Sequence, residues 1–564
     1  MRKSVILLAM LTITLSVMAQ RKNVEKLSAT TQMFLDERDG KLTFQRDVKN
    51  EKVKGLKPVD GPQMHKRDFN RIYASPDTIN GVAMISAFIR LDDEMQLSDL
   101  EAMGIEVQCT FKNGLVTALI PADKIEAVAA HKNVKRINVS KLMRPATNAA
   151  RQATNVDDVL TCSADAIKAG VGSKYDGSGV VLGVIDTGID FQHIAFKDAS
   201  GNYRLKGAYV YNGSSAKEYT SFSGLTTDDS SEDHGTHTSS TAGGSSVVVS
   251  GSSVSVTNDH ANATYGGMAP AADLYLCGVK SLSSTYLANS FQKIVNYADK
   301  NNKPVVVSNS WGSQYGPHDG TGDFADVVNQ YFGDNYPNHI VLFAASNDAG
   351  KSKDSEGGGY YLSGTASSSS PLQSILRSAS YSNTDAGYYY YGVMANAWAR
   401  STSVSKLACK IFVLDSSTGS VKTSVTVTSQ GTVSGLSSYY SGTLYAYFDY
   451  ISSDKTQLML YTSGLTSKST STTTKNGSTY YKSNYTLAVA FYPTSGSCTI
   501  DAWGGSYGYF TNHLSTSGYT WKAGSDDMSV SDEATLANVI SVGAYVSKNI
   551  HPGHSARTGE KQVP

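Results

Sequence analysis

An aspartate and a histidine in this sequence stand where acid–base chemistry is commonly placed. Asp186 follows the apolar run of residues 180–185 (VVLGVI), which predicts a strand buried on both faces of a parallel sheet. The carboxyl ends of such strands are where α/β folds place their sites. His234 lies in residues 233–238 (DHGTHT), and the small residues 242–244 (AGG) would let a helix begin close against a neighbouring strand.

Both side chains also have ordinary interpretations. A lone aspartate at a strand end can cap a turn or a helix. His234 and His237, three residues apart, could form part of a metal site, but no third cysteine, histidine or acidic residue follows at the helical spacing of a zinc peptidase. The sequence therefore predicts no metal ligands here.

Taken in order, residues 186–190 (DTGID) and 234–237 (HGTH) resemble the first two motifs of the subtilisin-like serine peptidases. The resemblance implies that Asp186 is the triad aspartate, that His234 is the general base and that His237 is not catalytic. A serine hydroxyl becomes a good nucleophile when an imidazole accepts its proton and a buried carboxylate fixes the tautomer of that imidazole.

A further segment, residues 308–312 (SNSWG), resembles the substrate-binding strand of the same family. In that family, backbone groups pair with an extended peptide by strand addition. Ser310, Trp311 and Gly312 are therefore the predicted substrate-binding residues. An ordinary strand end followed by a turn is the alternative.

The oxyanion-hole residue implied by the resemblance is Asn347, just past the apolar strand 340–345. An amide donor there would stabilise the tetrahedral oxyanion. Ser346 stands where the family usually has glycine. Without this context, an asparagine after a strand is best explained as a turn former.

No counterpart of the nucleophilic serine is found. The family's Gly-Thr-Ser-Met-Ala-x-Pro motif is expected downstream of residues 534–544, where a polar tail, 551–564, follows instead. Residues 364–367 (GTAS) have the wrong spacing and lie upstream. We therefore expect a chain truncated before its serine, inactive as given and with apolar faces left uncovered. A non-catalytic secreted protein that binds peptides, proteases or glycans is the alternative.

The elements that must position these residues alternate between strands and helices. Apolar residues recur at helical spacing over 284–299, and a shorter helix around residues 324–331 precedes the strand 340–345. Such alternation predicts an α/β fold with a parallel sheet. The resemblance implies that it is the subtilisin-like sheet flanked by helices, C-terminally incomplete.

Two further parts of the chain differ from this domain in their sequence pattern and composition. Residues 81–140 predict the order β-α-β-β-α-β, and the resemblance implies an inhibitory propeptide. Residues 375–515 are rich in serine, threonine, glycine and tyrosine, which predicts an all-β insertion resembling a jelly roll. Tyrosines 388–391 could form a sugar platform, although a wet β surface explains them more simply. The predicted divisions are 1–19 (signal peptide), 20–80 (pro-segment), 81–140 (propeptide-like domain), 141–160 (linker with the processing site), 161–374 and 516–550 (catalytic domain), 375–515 (insertion) and 551–564 (tail).

Composition restricts the partners and the compartment. The chain carries 49 basic and 49 acidic residues, so its net charge gives no reason to expect nucleic acid. Residues 1–19 resemble a signal peptide, and no later run is long enough to span a bilayer, which predicts a secreted, periplasmic or cell-surface protein. The expected partners are protein or peptide substrates, the chain's own propeptide and a complementing C-terminal fragment. No cofactor is identifiable, and a structural calcium ion remains open.

The five cysteines are sparse and show no metal-binding spacing. Cys409 and Cys498 lie in one segment. They could form a disulfide in an oxidising compartment or remain buried free thiols, and the sequence does not decide between these.

Overall fold

A computed structural model describes residues 21–42, 73, 76–92, 97–140, 144–145, 155–250, 253–260, 262–346, 358–378, 381–383, 387–401, 406–452, 454–475, 478–504 and 508–543. The predicted signal peptide, Asn347 and the tail 551–564 lie outside these residues. No helix in the described ranges is long and apolar enough to cross a membrane.

The N-terminal domain follows the predicted β-α-β-β-α-β order and adds a helix and a short strand before it. Its elements are α1 (Ala29–Arg38), β1 (Asp77–Ile79), β2 (Val82–Leu91), α2 (Leu97–Ala102), β3 (Glu106–Thr110), β4 (Leu115–Pro121), α3 (Ile125–Ala130) and β5 (Val134–Val139). The strands form an antiparallel sheet in the order β1-β2-β4-β3, and β5 pairs with the C-terminal half of β2, beyond the residues that pair with β1. Asn113 and Gly114 both have positive φ, as the predicted hairpin turn requires.

The domain predicted to be catalytic contains β6 (Arg144–Pro145), α4 (Val156–Thr161), α5 (Ala164–Lys168), β7 (Val181–Asp186), β8 (Leu205–Asn212), β9 (Ser215–Tyr219), α6 (His234–Gly243), β10 (Val247–Ser250), β11 (Ser253–Val256), β12 (Asp273–Gly278), α7 (Ser284–Lys300), β13 (Val305–Asn309), β14 (Trp311–Gly312), α8 (Asp323–Tyr331), β15 (His339–Ala344) and, after the insertion, β30 (Ile540–Val542). Seven of these strands form one sheet, in the order β30-β15-β13-β7-β12-β8-β9. All pairs are parallel except β8 with the edge strand β9. All six residues of β7 are buried, because helices cover both faces of the sheet.

Both amphipathic helices predicted for this domain are present. Helix α7 spans the predicted range 284–299 and one residue more, and it buries Phe291, Ile294 and Val295 in the main core. Helix α8 buries Phe324 and Val328 in the same core. This agreement follows from the 3.6-residue period, which puts every apolar residue on one face.

The described strands of the insertion are β16 (Tyr361–Ser367), β17 (Leu372–Ser378), β18 (Tyr381–Asn383), β19 (Gly387–Arg400), β20 (Leu407–Asp415), β21 (Val421–Val427), β22 (Gly431–Thr432), β23 (Tyr440–Ser452), β24 (Lys455–Ser467), β25 (Thr470–Lys475), β26 (Ser478–Ser483), β27 (Tyr485–Pro493), β28 (Ser497–Trp503) and β29 (Gly508–Thr511). They form a sandwich of two facing antiparallel sheets. One sheet contains β16, β18, β19, β22, β23, β24 and β28, and the other contains β17, β20, β21, β27 and β29; β25 and β26 form a hairpin. Leu458 and Leu460 of β24 pack in one core with Ile411 of β20 and Phe491 of β27.

The sandwich begins earlier than the change in composition at residue 375 indicates. Strand β16 pairs with β28 over seven residues, and β17 pairs with β27 and β29. These pairings place residues 361–374 in the insertion and not in the catalytic domain. The short, polar sequence of β16 hides this, because only Leu362 and Ala366 of the strand are buried.

The cysteines are free thiols. Cys409 lies on β20 and Cys498 on β28, in different sheets, and both are buried without a disulfide. The structure therefore favours the second of the two interpretations that the sequence leaves open.

Candidate active site

Asp186 is the last residue of β7 and is completely buried. One carboxylate oxygen, Oδ1, accepts a hydrogen bond from the backbone N–H of Thr187 at 2.7 Å. The other, Oδ2, accepts one from the hydroxyl of Thr238 at 2.8 Å. A carboxylate held on both oxygens cannot rotate freely, so its position is fixed before any substrate arrives.

His234 opens helix α6, which lies unusually close to the end of β7. A Cβ added to Gly235 would lie 2.6 Å from a side-chain carbon of Ile189 and 2.7 Å from the carbonyl oxygen of Thr187. Only glycine permits this approach. At the other end of α6, Gly243 touches Leu182 and Leu274 in the same way. The small residues predicted to bring the helix near the strand therefore do so.

The two side chains form a directed pair. His234 Nδ1 lies 2.9 Å from Asp186 Oδ1. His234 Nε2 is buried and has no hydrogen-bond partner among the described residues. An imidazole held by a carboxylate at Nδ1 and open at Nε2 has the orientation of a general base that accepts a proton at Nε2.

A second carboxylate, Asp228, supports the turn after Asp186. Its oxygens accept hydrogen bonds from the backbone N–H groups of Gly188, at 3.2 Å, and Ile189, at 2.8 Å. Burial raises the pKa of Asp228 to about 6, and the charge of Asp186 adds to this, while the two N–H groups oppose it. Asp228 thus positions the loop that carries Thr187, and its ionisation falls in a mildly acidic range.

The predicted substrate strand is already paired. The backbone of β14 forms an antiparallel ladder with β6, in which Trp311 is opposite Pro145 and Gly312 is opposite Arg144. Segment 144–145 comes from the predicted linker, directly after the N-terminal domain. Ser310 lies between β13 and β14 and is half-buried. The strand thus receives another strand in the antiparallel manner expected for an extended peptide.

The side chain of Trp311 belongs to the core. Its Nε1 donates to the carbonyl oxygen of Ile185 at 2.9 Å, and its ring contacts Phe343 at 4.9 Å between centroids. Trp311 is only 1% exposed. Its contact with the facing strand is therefore made through the backbone, and its side chain packs behind the strand.

The residue before Asn347 has an unusual backbone. Ser346 has φ of 125°, a region that favours glycine, and glycine is the residue that the resemblance implies here. The hydroxyl of Ser346 accepts a hydrogen bond from Gln314 Nε2 at 3.0 Å. Asn347 itself lies outside the described residues, so its role stays a prediction.

Residues 364–367, rejected above as a nucleophile motif, lie in β16 of the sandwich. No group of three histidine, cysteine or acidic residues suited to a metal occurs in the part of the chain that the structure describes.

A family model gives the chain its place among known proteins. The model, described as Peptidase_S8, the subtilase family, matches residues 177–500, more than half of the chain. The chain belongs to the subtilase family. It is thus by family a serine peptidase, a hydrolase of peptide bonds.

Solved structures similar to this subtilase include three bacterial proteases. CspB protease of Clostridium perfringens is 18% identical, with a TM-score of 0.46, over 70% of this chain and 73% of that chain. Fervidolysin of Fervidobacterium pennivorans, a keratinolytic enzyme related to subtilisin, is 14% identical, with a TM-score of 0.29, over 54% and 45%. EpiP of Staphylococcus aureus, an epidermin leader peptide processing protease, is 13% identical, with a TM-score of 0.29, over 47% and 61%. This chain covers less than two thirds of the length of fervidolysin and of EpiP.

Sequence reasoning missed two polar residues of the subtilase site. Thr238 follows His234 by four residues, so on a helix it lies on the same face, and that spacing was a usable signal. Asp228 precedes the histidine motif in a loop, and no local pattern distinguishes it from its neighbour Asp229.

Proposed function

We propose that this chain is the precursor of a secreted subtilisin-like serine endopeptidase. The observation that carries the proposal is the Asp186–His234 pair. His234 Nδ1 lies 2.9 Å from the Asp186 carboxylate, and His234 Nε2 is buried with no hydrogen-bond partner among the described residues. In the proposed reaction His234 takes the proton of a serine hydroxyl at Nε2, and Asp186 stabilises the resulting imidazolium. Asn347 supplies an oxyanion donor, and residues 310–312 hold the substrate backbone.

The nucleophile is assigned to a serine outside the 564 residues, in a downstream segment or a complementing fragment. Residues 1–19 direct export, residues 81–140 act as an inhibitory propeptide, and cleavage within 141–160 separates the two parts. The pairing of β6 with β14 supports the inhibitory role, because segment 144–145 occupies the strand position proposed for the substrate. The sandwich is proposed to be a jelly-roll insertion.

A fluorophosphonate probe tests the assignment of the nucleophile, since it labels activated serines. The 564-residue chain should not be labelled. The product extended through the downstream reading frame should be labelled at a new Gly-Thr-Ser motif. His234→Ala should abolish that labelling, whereas Ser367→Ala, in the rejected motif, should leave it unchanged. Labelling on any serine of the 564 residues, or labelling that survives His234→Ala, would refute the proposal.

A further inference from the structure

The N-terminal domain is attached to the sandwich as well as to the catalytic domain. The core of the N-terminal domain continues into the outer face of the larger sandwich sheet, where five buried side chains join residues of α1, β2, β4 and β5. These five are Val393, Tyr445, Tyr447, Met459 and Tyr461. This face is thus covered by a segment that lies outside the catalytic domain in sequence, on the far side of the predicted cleavage region.

Strand β23 also makes polar contacts with the N-terminal domain. Asp449 is buried, and its Oδ2 accepts from Arg136 at 2.5 Å and from the backbone N–H of Ala29 at 3.3 Å. The Gln32 amide donates to the carbonyl oxygen of Phe448 at 3.2 Å, and the Tyr445 hydroxyl donates to the carbonyl oxygen of Lys41. These bonds hold the first turn of α1, and the segment that follows its C-terminal end, against the sandwich.

Two arginines of the N-terminal domain divide their counter-charges between the other two domains. Arg90 of β2 and Arg136 of β5 are directly opposite each other in the antiparallel ladder, an arrangement that is unfavourable for like charges. Arg90 bonds to Asp323 at 2.9 Å and to Asp326 at 2.6 Å, both on α8 of the catalytic domain. Arg136 bonds to Asp449 of the sandwich. The positive charges of these two facing arginines are thus neutralised by acidic residues of two different domains.

We propose that the sandwich is a second attachment site for residues 21–140, and that its contacts with α1 and β5 set how long the N-terminal fragment stays bound after the linker has been cut. This regulation rests on the proposed function, in which residues 81–140 inhibit the site. The partner of the sandwich face is the chain's own N-terminal segment. Cutting the linker removes the covalent connection but none of the contacts of α1 and β5 with β23.

The test uses the full chain. A recognition sequence for a site-specific protease is placed within residues 146–154, the folded chain is cut, and release of the N-terminal fragment is followed by size-exclusion chromatography over time. The parent fragment should remain associated. Asp449→Asn should release it roughly 10- to 100-fold faster, because it leaves Arg136 without its counter-charge at a site mostly shielded from water.

Two further variants isolate the contact. Arg136→Met removes the same ion pair by changing the N-terminal domain and should accelerate release to a similar extent. Faster release in this variant could not be explained by a folding defect of the sandwich. Asp454→Asn is the matched control, since Asp454 is an exposed aspartate on the same hairpin whose carboxylate bonds to neighbouring Ser452 and, among the described residues, to nothing in the N-terminal domain. Unchanged release in both Asp449→Asn and Arg136→Met, or immediate release of the parent fragment, would overturn the proposal.

The cut is made by an added protease, so failure here and failure of the proposed function are distinguishable. A fragment that dissociates at once contradicts the attachment but leaves the Asp186–His234 chemistry untouched. A fragment that is retained by Asp449 and Arg136, yet leaves peptide hydrolysis by the serine-containing product unaffected, contradicts the inhibitory role and keeps the attachment.

Discussion

The Asp186 carboxylate is held by Thr238 as much as by the backbone. Its Oδ1 accepts from the backbone N–H of Thr187 and contacts His234, and its Oδ2 accepts from the hydroxyl of Thr238. The hydroxyl oxygen of Thr238 also lies 3.2 Å from the carbonyl oxygen of Gly235 in its own helix, so its single hydrogen is shared between the two acceptors, with the shorter bond to Asp186. Thr238 therefore links the first turn of α6 to the end of β7. A residue with no direct part in proton transfer fixes the geometry of the pair.

Thr238→Val removes that link without changing the shape of the side chain. The buried Asp186 oxygen loses a partner, which should lower the free energy of unfolding by about 1–3 kcal/mol. Thr238→Ser retains the hydroxyl and loses only a methyl group, so it should cost less than about 1.5 kcal/mol. Urea denaturation of the three chains measures both values. Equal stability of Thr238→Val and the parent would show that the bond contributes nothing.

Asp228 predicts a pH dependence of stability. Its pKa is about 6 in the folded chain against 3.8 for an ordinary aspartate, so the folded state binds the proton more tightly. The stability contribution of Asp228 is therefore highest below pH 4 and falls as the pH rises from about 4 to 6, by roughly 3 kcal/mol in total.

The measurement compares the parent with Asp228→Asn, which does not titrate. The difference in unfolding free energy between the two chains, taken at pH 4, 5, 6 and 7, cancels every other titrating group. The unfolding free energy of the parent should fall relative to that of the variant between pH 4 and 6. Above pH 6 the difference between the two chains should stay constant. A difference that is constant over this range would contradict the raised pKa.

The elements that position the site were predicted well where burial follows a period. Helix α7 and strand β7 were both predicted, one from apolar residues every three or four positions and one from an unbroken apolar run. Helix α1 was missed, because it is buried on nearly every side, polar Thr31 and Gln32 included, and so shows no apolar stripe. Its burial depends on distant strands, which local sequence does not reveal.

The same distinction applies to the site itself. Asp186 and His234 were found through motifs, and in the structure His234 Nδ1 lies 2.9 Å from Asp186 Oδ1. Asp228 was not found, because its role comes from a loop that folds back on Gly188 and Ile189. Local patterns predict which residues end strands and begin helices, but the support supplied by loops depends on the tertiary fold.

At the end of β15, Ser346 tests whether the backbone there is strained. A non-glycine residue at φ of 125° costs on the order of 1–3 kcal/mol, whereas its hydrogen bond from Gln314 returns about 1 kcal/mol. Ser346→Gly should therefore raise the unfolding free energy by about 1 kcal/mol. Ser346→Ala keeps the strain, loses the bond and should lower it. Thermal unfolding ranks the three chains, and a Ser346→Gly chain less stable than Ser346→Ala would contradict the strain.

At the scale of the whole molecule, the three domains share their cores. One cluster combines Phe88 and Leu115 of the N-terminal domain with the catalytic core, and another combines the N-terminal domain with the sandwich. The N-terminal domain is thus part of an apolar core with each neighbour, so its removal exposes apolar surface on both. The sandwich and the catalytic domain also contact each other directly, through ion pairs of Arg400 and Lys455 with Asp319. Departure of the N-terminal domain should be visible at residues buried only by its junctions.

Free thiols report this departure. Cys109 is buried where the N-terminal domain meets the catalytic core, whereas Cys277 and Cys409 are fully buried inside the catalytic domain and the sandwich. Burial raises the pKa of all three thiols, which suppresses the reactive thiolate, and departure of the N-terminal domain would relieve that burial at Cys109 alone. We expect that, in a chain cut within residues 146–154 and held in mild denaturant, iodoacetamide labels Cys109 well before the other two. Half-exposed Cys162 serves as the positive control and should be labelled from the start. Mass spectrometry of the peptides gives the order, and labelling of Cys109 together with Cys277 would mean that the N-terminal domain leaves only when the catalytic domain unfolds.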